Sequence, residues 1–137
     1  MKGTVLRHVV LLVRDVPTCV RFYEEGLGLG VIRQSHRWAE LGQIGTNVSP
    51  CLALKAVDNE SHCHTGYSPI FSFSVMHSNF DNIISRLLQL GASLDGPIRR
   101  QASGATVVMR SPDGHMVGIS SISTDERHTH AASAERL

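Results

Sequence analysis

The same succession of segments runs twice along this chain, and no other feature restricts its fold as much. Residues 8–13 (HVVLLV) overlay residues 70–75 (IFSFSV), and carrying the overlay forward brings Gly28 onto Gly91 after one inserted residue. In the first copy, residues 6–13 read as an apolar strand buried on both faces and interrupted by one histidine, His8. Asp15-Val16-Pro17 then starts a helix, with an acidic cap and a proline close to the first turn. Val20, Tyr23 and Leu27 recur at helical spacing, and Gly26, Gly28 and Gly30 end the helix. Residues 31–36, 37–41 and 51–57 follow as strands.

The second copy keeps the order. Residues 70–75 form a strand, 80–90 an amphipathic helix stopped by Gly91, 94–98 a short strand, and 105–110 and 116–121 the closing strands. The chain is therefore read as two βαβββ modules, residues 5–57 and 67–122, joined by a polar linker at 58–66 within one domain of residues 1–122. Residues 123–137 are polar and rich in small side chains, and are expected to fray.

Composition removes several classes of function. A length of 137 residues allows one core without disulfide staples, and a net charge of +1 on scattered groups offers no basic stripe for nucleic acid or an anionic membrane. The longest aliphatic run, residues 9–13, is far too short to span a bilayer. No basic segment precedes an apolar stretch and cleavage site, so a cytoplasmic location is expected. Cys19, Cys51 and Cys63 are odd in number and fall in a helix, a strand and the linker, which suits reduced thiols. The sequon Asn47-Val48-Ser49 means little without export.

The stretch RSPDGHMVGISS, residues 110–121, holds a tight turn at Pro112-Asp113-Gly114 and then alternates. Val117 and Ile119 fall on a core face; Met116, Gly118 and Ser120 fall on the other, where Gly118 leaves room.

Three stretches, LRHVVLLVRDVPTCVRFYEEGLGL, RWAELGQIGTNVSPCLALK and RSPDGHMVGISS, resemble the vicinal oxygen chelate superfamily, which includes glyoxalase I, bleomycin-resistance proteins, extradiol dioxygenases and methylmalonyl-CoA epimerase. The resemblance covers residues 5–122, and Phe22-Tyr23 with the Pro-Asp-Gly turn are its most specific parts. It implies an α+β fold of two βαβββ modules whose mixed sheet curls into a cup around a small-molecule site. In metal-dependent relatives a divalent ion takes one ligand from each module's first strand and one from its last. Carried over, those positions fall on His8, Ala53, Ile70 and Gly118. Three of the four have no donor atom, and a lone imidazole leaves no anion to offset the desolvation of the ion. Sharing a site between two chains does not help, since each site still receives one copy of every position. No metal or other cofactor is therefore expected.

Strand parity sets Ile70, Ser72 and Ser74 on one face and the Phe71/Phe73 pair on the other, which is expected to pack under helices. The serine face, with His8, Ala53, Gly118 and Ser120, is polar, uncharged and small, as an organic ligand needing volume and hydroxyl contacts requires. Lys55 shares parity with Ala53 and could reach an acidic ligand; Trp38 could stack on one. His36, Trp38 and Glu40 are read as one strand face, so His8, His36 and Glu40 are a substitute metal set to check. The pairs His62/His64 and His128/His130 suit adventitious surface binding, GLGLG follows a helix and so presents no helix amides to phosphate, and His115 is read as facing solvent.

The expected function is a glyoxalase-like protein that binds a small organic molecule without the usual divalent ion. The alternative is a metal-dependent lyase or isomerase of the lactoylglutathione lyase kind, or a dioxygenase, using zinc, nickel, iron or manganese at a non-standard site around His8, the best catalytic candidate. A homodimer is expected, because an open cup leaves strand edges and an apolar rim.

Overall fold

A computed structural model describes residues 3–4, 6–43, 51–63 and 65–122. The chain divides into two compact units, Met1–His64 and Thr65–Leu137. The sequon, His64, the pair His128/His130 and the tail 123–137 lie outside the described residues.

In the first unit, Asp15, two residues after strand β1 (His8–Val13), caps helix α1 (Val16–Arg21) by accepting a hydrogen bond from the Thr18 amide at 3.2 Å. The helix then widens into a π turn, Phe22–Gly26. That widening is absent from the helical spacing read in the sequence. It accompanies the burial of both adjacent aromatics: Phe22 and Tyr23 are inside, with their rings edge-on at 4.9 Å. Strands β2 (Gly30–Gln34), β3 (Trp38–Gly42) and β4 (Cys51–Ala56) complete a sheet of order β1-β4-β3-β2. Only the β1–β4 pair is parallel, as a strand–helix crossover followed by hairpins requires.

One face of this sheet, with Leu11, Val13, Ala39, Leu41, Leu54 and Ala56, is buried, and α1 packs on β3 and β4 with Val16, Cys19 and Val20 inside. Each large side chain enclosed there contributes about 1.5–3 kcal/mol. The other face is open at the edge. Strand β1 begins at His8 rather than at residue 6, and Val10 is 42% exposed, so β1 is not buried on both sides. Its place at the sheet edge explains this; central β4, with Ala53 and Leu54 fully enclosed, is the strand with two buried faces.

In the second unit, strand β5 (Ile70–Met76) leads through a short 3₁₀ turn into helix α2 (Phe80–Gln89). Phe80, Ile84 and Leu87 recur on one helical stripe and are buried. Gly91 ends the helix, and the Ala92 amide bonds back to the Leu87 carbonyl at 3.0 Å. Short strands β6 (Ser93–Leu94) and β7 (Arg99–Gln101) both pair with β8 (Gly104–Arg110), and β8 pairs with β9 (Met116–Ile122). The sheet order is β5-β9-β8-β6, with β5 parallel to β9.

The strand read at 94–98 is thus two strands on either side of a break. Gly96 has φ of +149° and Pro97 lacks an amide hydrogen, so the ladder stops after the Asp95 amide bonds to the Val108 carbonyl. Between β8 and β9, the Pro-Asp-Gly turn closes as read: the Gly114 amide bonds to Ser111 O at 2.8 Å. Gly114 has φ of +92°, and a Cβ there would meet Thr65 Oγ1 at 3.1 Å, so both conformation and space call for glycine. Arg110 holds this end of the unit, donating from Nη1 to the carbonyls of Gly66 and Gly114. Among the described residues no helix is long and apolar enough to cross a membrane.

Candidate functional site

The register of the first sheet gathers its polar side chains on the face away from α1. Val10 lies opposite Ala53, Ala53 opposite Glu40, and Lys55 opposite Trp38, while Glu40 also pairs with Arg33 across an irregularity in β2. Glu40 is the hub. Its Oε2 accepts the Trp38 indole N–H at 2.8 Å, and its Oε1 lies 3.6 Å from both His8 Nε2 and Arg33 Nε. The carboxylate is only 12% exposed. The Trp38 hydrogen bond holds its pKa below the ordinary carboxylate value, helped by the charges of Arg33, His8 and Arg7 and opposed by desolvation. The Trp38 ring meets His8 edge-on at 5.8 Å, so two of the three partners of Glu40 also touch each other.

His8, Trp38 and Ala53 therefore share this face, although Ala53 is fully buried between Val10 and Glu40. Lys55 is exposed. His36 does not join them. It lies in the turn between β2 and β3, where the Ser35 amide bonds to Trp38 O, and it is exposed. Arg33 was not legible as a partner of Glu40, because the irregularity between Val31 and Arg33 changes the strand parity.

The corresponding face of the second sheet is exposed along β5 and buried along β9. Ile70, Ser72 and Ser74 on β5 lie opposite Met116, Gly118 and Ser120 on β9, and Gly118 and Ser120 lie opposite Val108 and Thr106 on β8. Ile70, Ser72 and Ser74 are exposed, Gly118 is buried, and the buried Ser120 Oγ has no hydrogen-bond partner among the described residues. The break between β6 and β7 opens a cleft of about 250 Å³, whose walls include Asp95, Arg99, Thr106 and Val108. Arg99 was missed in the sequence because its place depends on that break, and Thr106 because its position opposite Ser120 is a cross-strand register that one strand's pattern does not reveal. On the opposite face, Phe71 and Phe73 are half-buried, and the enclosed Ser121 Oγ accepts the Ala105 amide and meets His77 Nδ1 at 3.1 Å. His115 is half-buried rather than solvent-facing, its amide donating to Ser111 Oγ.

A metal centre asks for at least three convergent donors, and among the described residues no group of three or more His, Cys, Asp or Glu side chains could hold an ion. The nearest approach is His8 with Glu40, whose two oxygens already face Trp38, His8 and Arg33.

Residues 5–119 match the model of the Glyoxalase/Bleomycin resistance protein/Dioxygenase superfamily. A virulence protein of Salmonella typhimurium strain LT2 is 29% identical over 128 residues, covering 82% of this chain and 81% of that protein. Among solved structures, the fosfomycin resistance protein FosX of Mesorhizobium loti superposes with a TM-score of 0.66 at 20% identity, over 93% of this chain and 99% of that one. FosX of Listeria monocytogenes, in complex with Mn(II) and sulfate, gives 0.67 at 16% identity over 96% and 99%. A glyoxalase/bleomycin resistance protein/dioxygenase family enzyme of Burkholderia phytofirmans gives 0.69 at 19% identity over 87% and 99%. At these identities the structures establish a shared fold.

Proposed function

The chain belongs to the Glyoxalase/Bleomycin resistance protein/Dioxygenase superfamily, and from that footing we propose that it binds a small organic molecule on the open faces of its sheets without the divalent ion used by metal-dependent members. The observation that carries this reading is the bonding of Glu40. One oxygen of this carboxylate already accepts the Trp38 indole N–H, and the other lies at ion-pair distance, 3.6 Å, from the His8 imidazole and the Arg33 guanidinium, a cationic surrounding that disfavours a further cation. The positions that correspond to metal ligands in such members supply one donor, His8, and then Ala53, Ile70 and Gly118. These residues do not fit a divalent ion, and no step is derived through one.

In this reading His8 and Trp38 contribute ring edges and Lys55 a charge, while Ile70, Ser72, Ser74, Gly118 and Ser120 contribute space and hydroxyls. We place the protein in the cytoplasm as a homodimer; Cys19 and Cys63, which form no disulfide, the open strand edges and the exposed Val10 and Ile70 support this. The 3.6 Å approach of His8 to Glu40 also favours a second reading, a metal-free lyase or isomerase in which His8 moves a proton and Glu40 orients its ring.

A thermal-shift screen of small organic molecules, with elemental analysis of untagged protein, tests the proposal. Hits should bind the wild type and fail with Gly118→Leu, which fills the second sheet's open face, and the metal content should stay far below one ion per chain. One zinc, nickel, iron or manganese per chain, lost with His8→Ala, overturns it. Turnover of a hit that disappears with His8→Ala would establish the second reading.

A further inference from the structure

Four side chains line up straight across the strands of the second sheet. Ser74 pairs with Ser120, Ser120 with Thr106, and Thr106 with Arg99, so β5, β9, β8 and β7 each give one residue to a single row on one face. Directly opposed residues stand about 4.5–5.5 Å apart, which sets neighbouring members of the row within reach of one small ligand.

Two observations separate this row from an ordinary solvated surface. Ser120 is only 5% exposed, and its hydroxyl has no partner among the described residues. A polar group withdrawn from water and left unpaired is rare in a native fold, and it marks a place that an occupant completes. Donation to a ligand on the row would require that hydroxyl to take another of its staggered χ1 positions. Secondly, the outer end of the row opens into the cleft of about 250 Å³, to which both Thr106 and Arg99 belong.

The charges there point to one kind of ligand. Asp95, the acid in the cleft wall, faces Arg110 Nε at 3.4 Å, whereas Arg99 has no acidic partner among the described residues. A guanidinium offers only donors, and it stays charged at any working pH; hydroxyls beside it can donate as well. We propose that the row is a subsite for an oxyanion, the carboxylate or phosphate group of the ligand, with Arg99 supplying the charge and Thr106 and Ser120 donating hydroxyl hydrogen bonds. This rests on the small-molecule reading above and narrows it to anionic compounds. A cation would be repelled by Arg99, and a neutral acceptor would gain less from it than an anion does.

The experiment titrates inorganic phosphate, acetate and glycerol into the full chain and follows the amide NMR spectrum. Phosphate and acetate should move the signals of residues 99, 106 and 120, and glycerol should not. Arg99→Met should weaken phosphate binding by about 10-fold or more, and Ser120→Ala by about 2- to 10-fold, as expected for a charged and a neutral hydrogen bond. Arg99→Lys, which keeps the charge, should recover most of the loss, and unchanged spectra of the free variants control for folding. No shift at tens of millimolar phosphate, or shifts indifferent to Arg99→Met (an adventitious ion only), overturns the subsite. Organic hits that need Gly118 but ignore Arg99→Met would leave the small-molecule reading standing and sink the oxyanion alone; no hits with phosphate bound at the row would do the reverse.

Discussion

Each unit sets its first strand parallel to its last and hangs the middle strands beside the last, yet the two part company at the second strand. In the first unit β2 absorbs an irregularity between Val31 and Arg33 and stays one strand. In the second, the equivalent strand splits into β6 and β7 where Gly96-Pro97 removes both an ordinary φ and a ladder amide. The open faces differ as well: a carboxylate hub with indole, imidazole and guanidinium in one, a row of hydroxyls ending at a cleft in the other. The repeat thus dictates backbone order, while a few local residues decide the ladder and the chemistry on its face.

The sharpest way to break the comparison is through the widened helix turn, which among the described residues only the first unit has. Phe22→Ala removes a fully enclosed ring and should cost about 3–5 kcal/mol in denaturant unfolding. A loss below about 1 kcal/mol would mean that the π turn is not what fixes this core. Next come the glycines of the middle strands. Gly96→Ala meets no atom within 4 Å but is strained by its φ of +149°, and should cost about 1–3 kcal/mol. Gly42→Ala, on β3, meets only Ile32 Cδ1 at 3.3 Å, the end of an exposed side chain, and should change stability by no more than about 0.5 kcal/mol. Equal losses would show that the break in the second unit is not held by its glycine.

The helix starts offer a smaller contrast. Asp15 caps α1 through Thr18 N, whereas Asn79 makes no side-chain cap bond at α2. Asp15→Ala should therefore cost about 1 kcal/mol, and Asn79→Ala about 0.5 or less. The smallest effect is electrostatic. Trp38→Phe deletes the leading cause of the lowered Glu40 pKa, so an NMR titration should find that carboxyl titrating at higher pH in the variant. Because the folded value is the depressed one, the stability that Glu40 contributes is present above its unfolded pKa and lost as pH falls through the lower folded value. The variant should lose that part of the acid sensitivity, and an unchanged titration would mean that the indole is not what sets the Glu40 pKa.

Much of the fold was legible because its signals are local. The Asp15 cap, the helical stripe of Phe80, Ile84 and Leu87, and the Pro112-Asp113-Gly114 turn all act within a few residues. Parity within single strands was enough to group Ile70 with Ser72 and Ser74, Met116 with Gly118 and Ser120, and Trp38 with Glu40. It failed where a strand is irregular. The change of phase before Arg33 hid a partner of Glu40, the turn after Gln34 took His36 off the face, and the Gly96-Pro97 break hid Arg99. The π turn left no mark either, since Val20, Tyr23 and Leu27 also fit an uninterrupted helix.

The parallel pairing of β1 with β4 and of β5 with β9 sets an order in time as well as in space. In each unit the strand synthesised first finds its partner only in the strand synthesised last, so neither sheet can close until its whole segment has left the ribosome. Helix and hairpin contacts form early; the step that brings distant strands together comes late and pays the larger loop-closure entropy. Until then β1 and β5 stand without any strand partner, and even in the finished sheets they remain edges, with Val10, Ile70 and Met76 partly exposed. A chain stalled before β9 would hold a finished first sheet and an open second one.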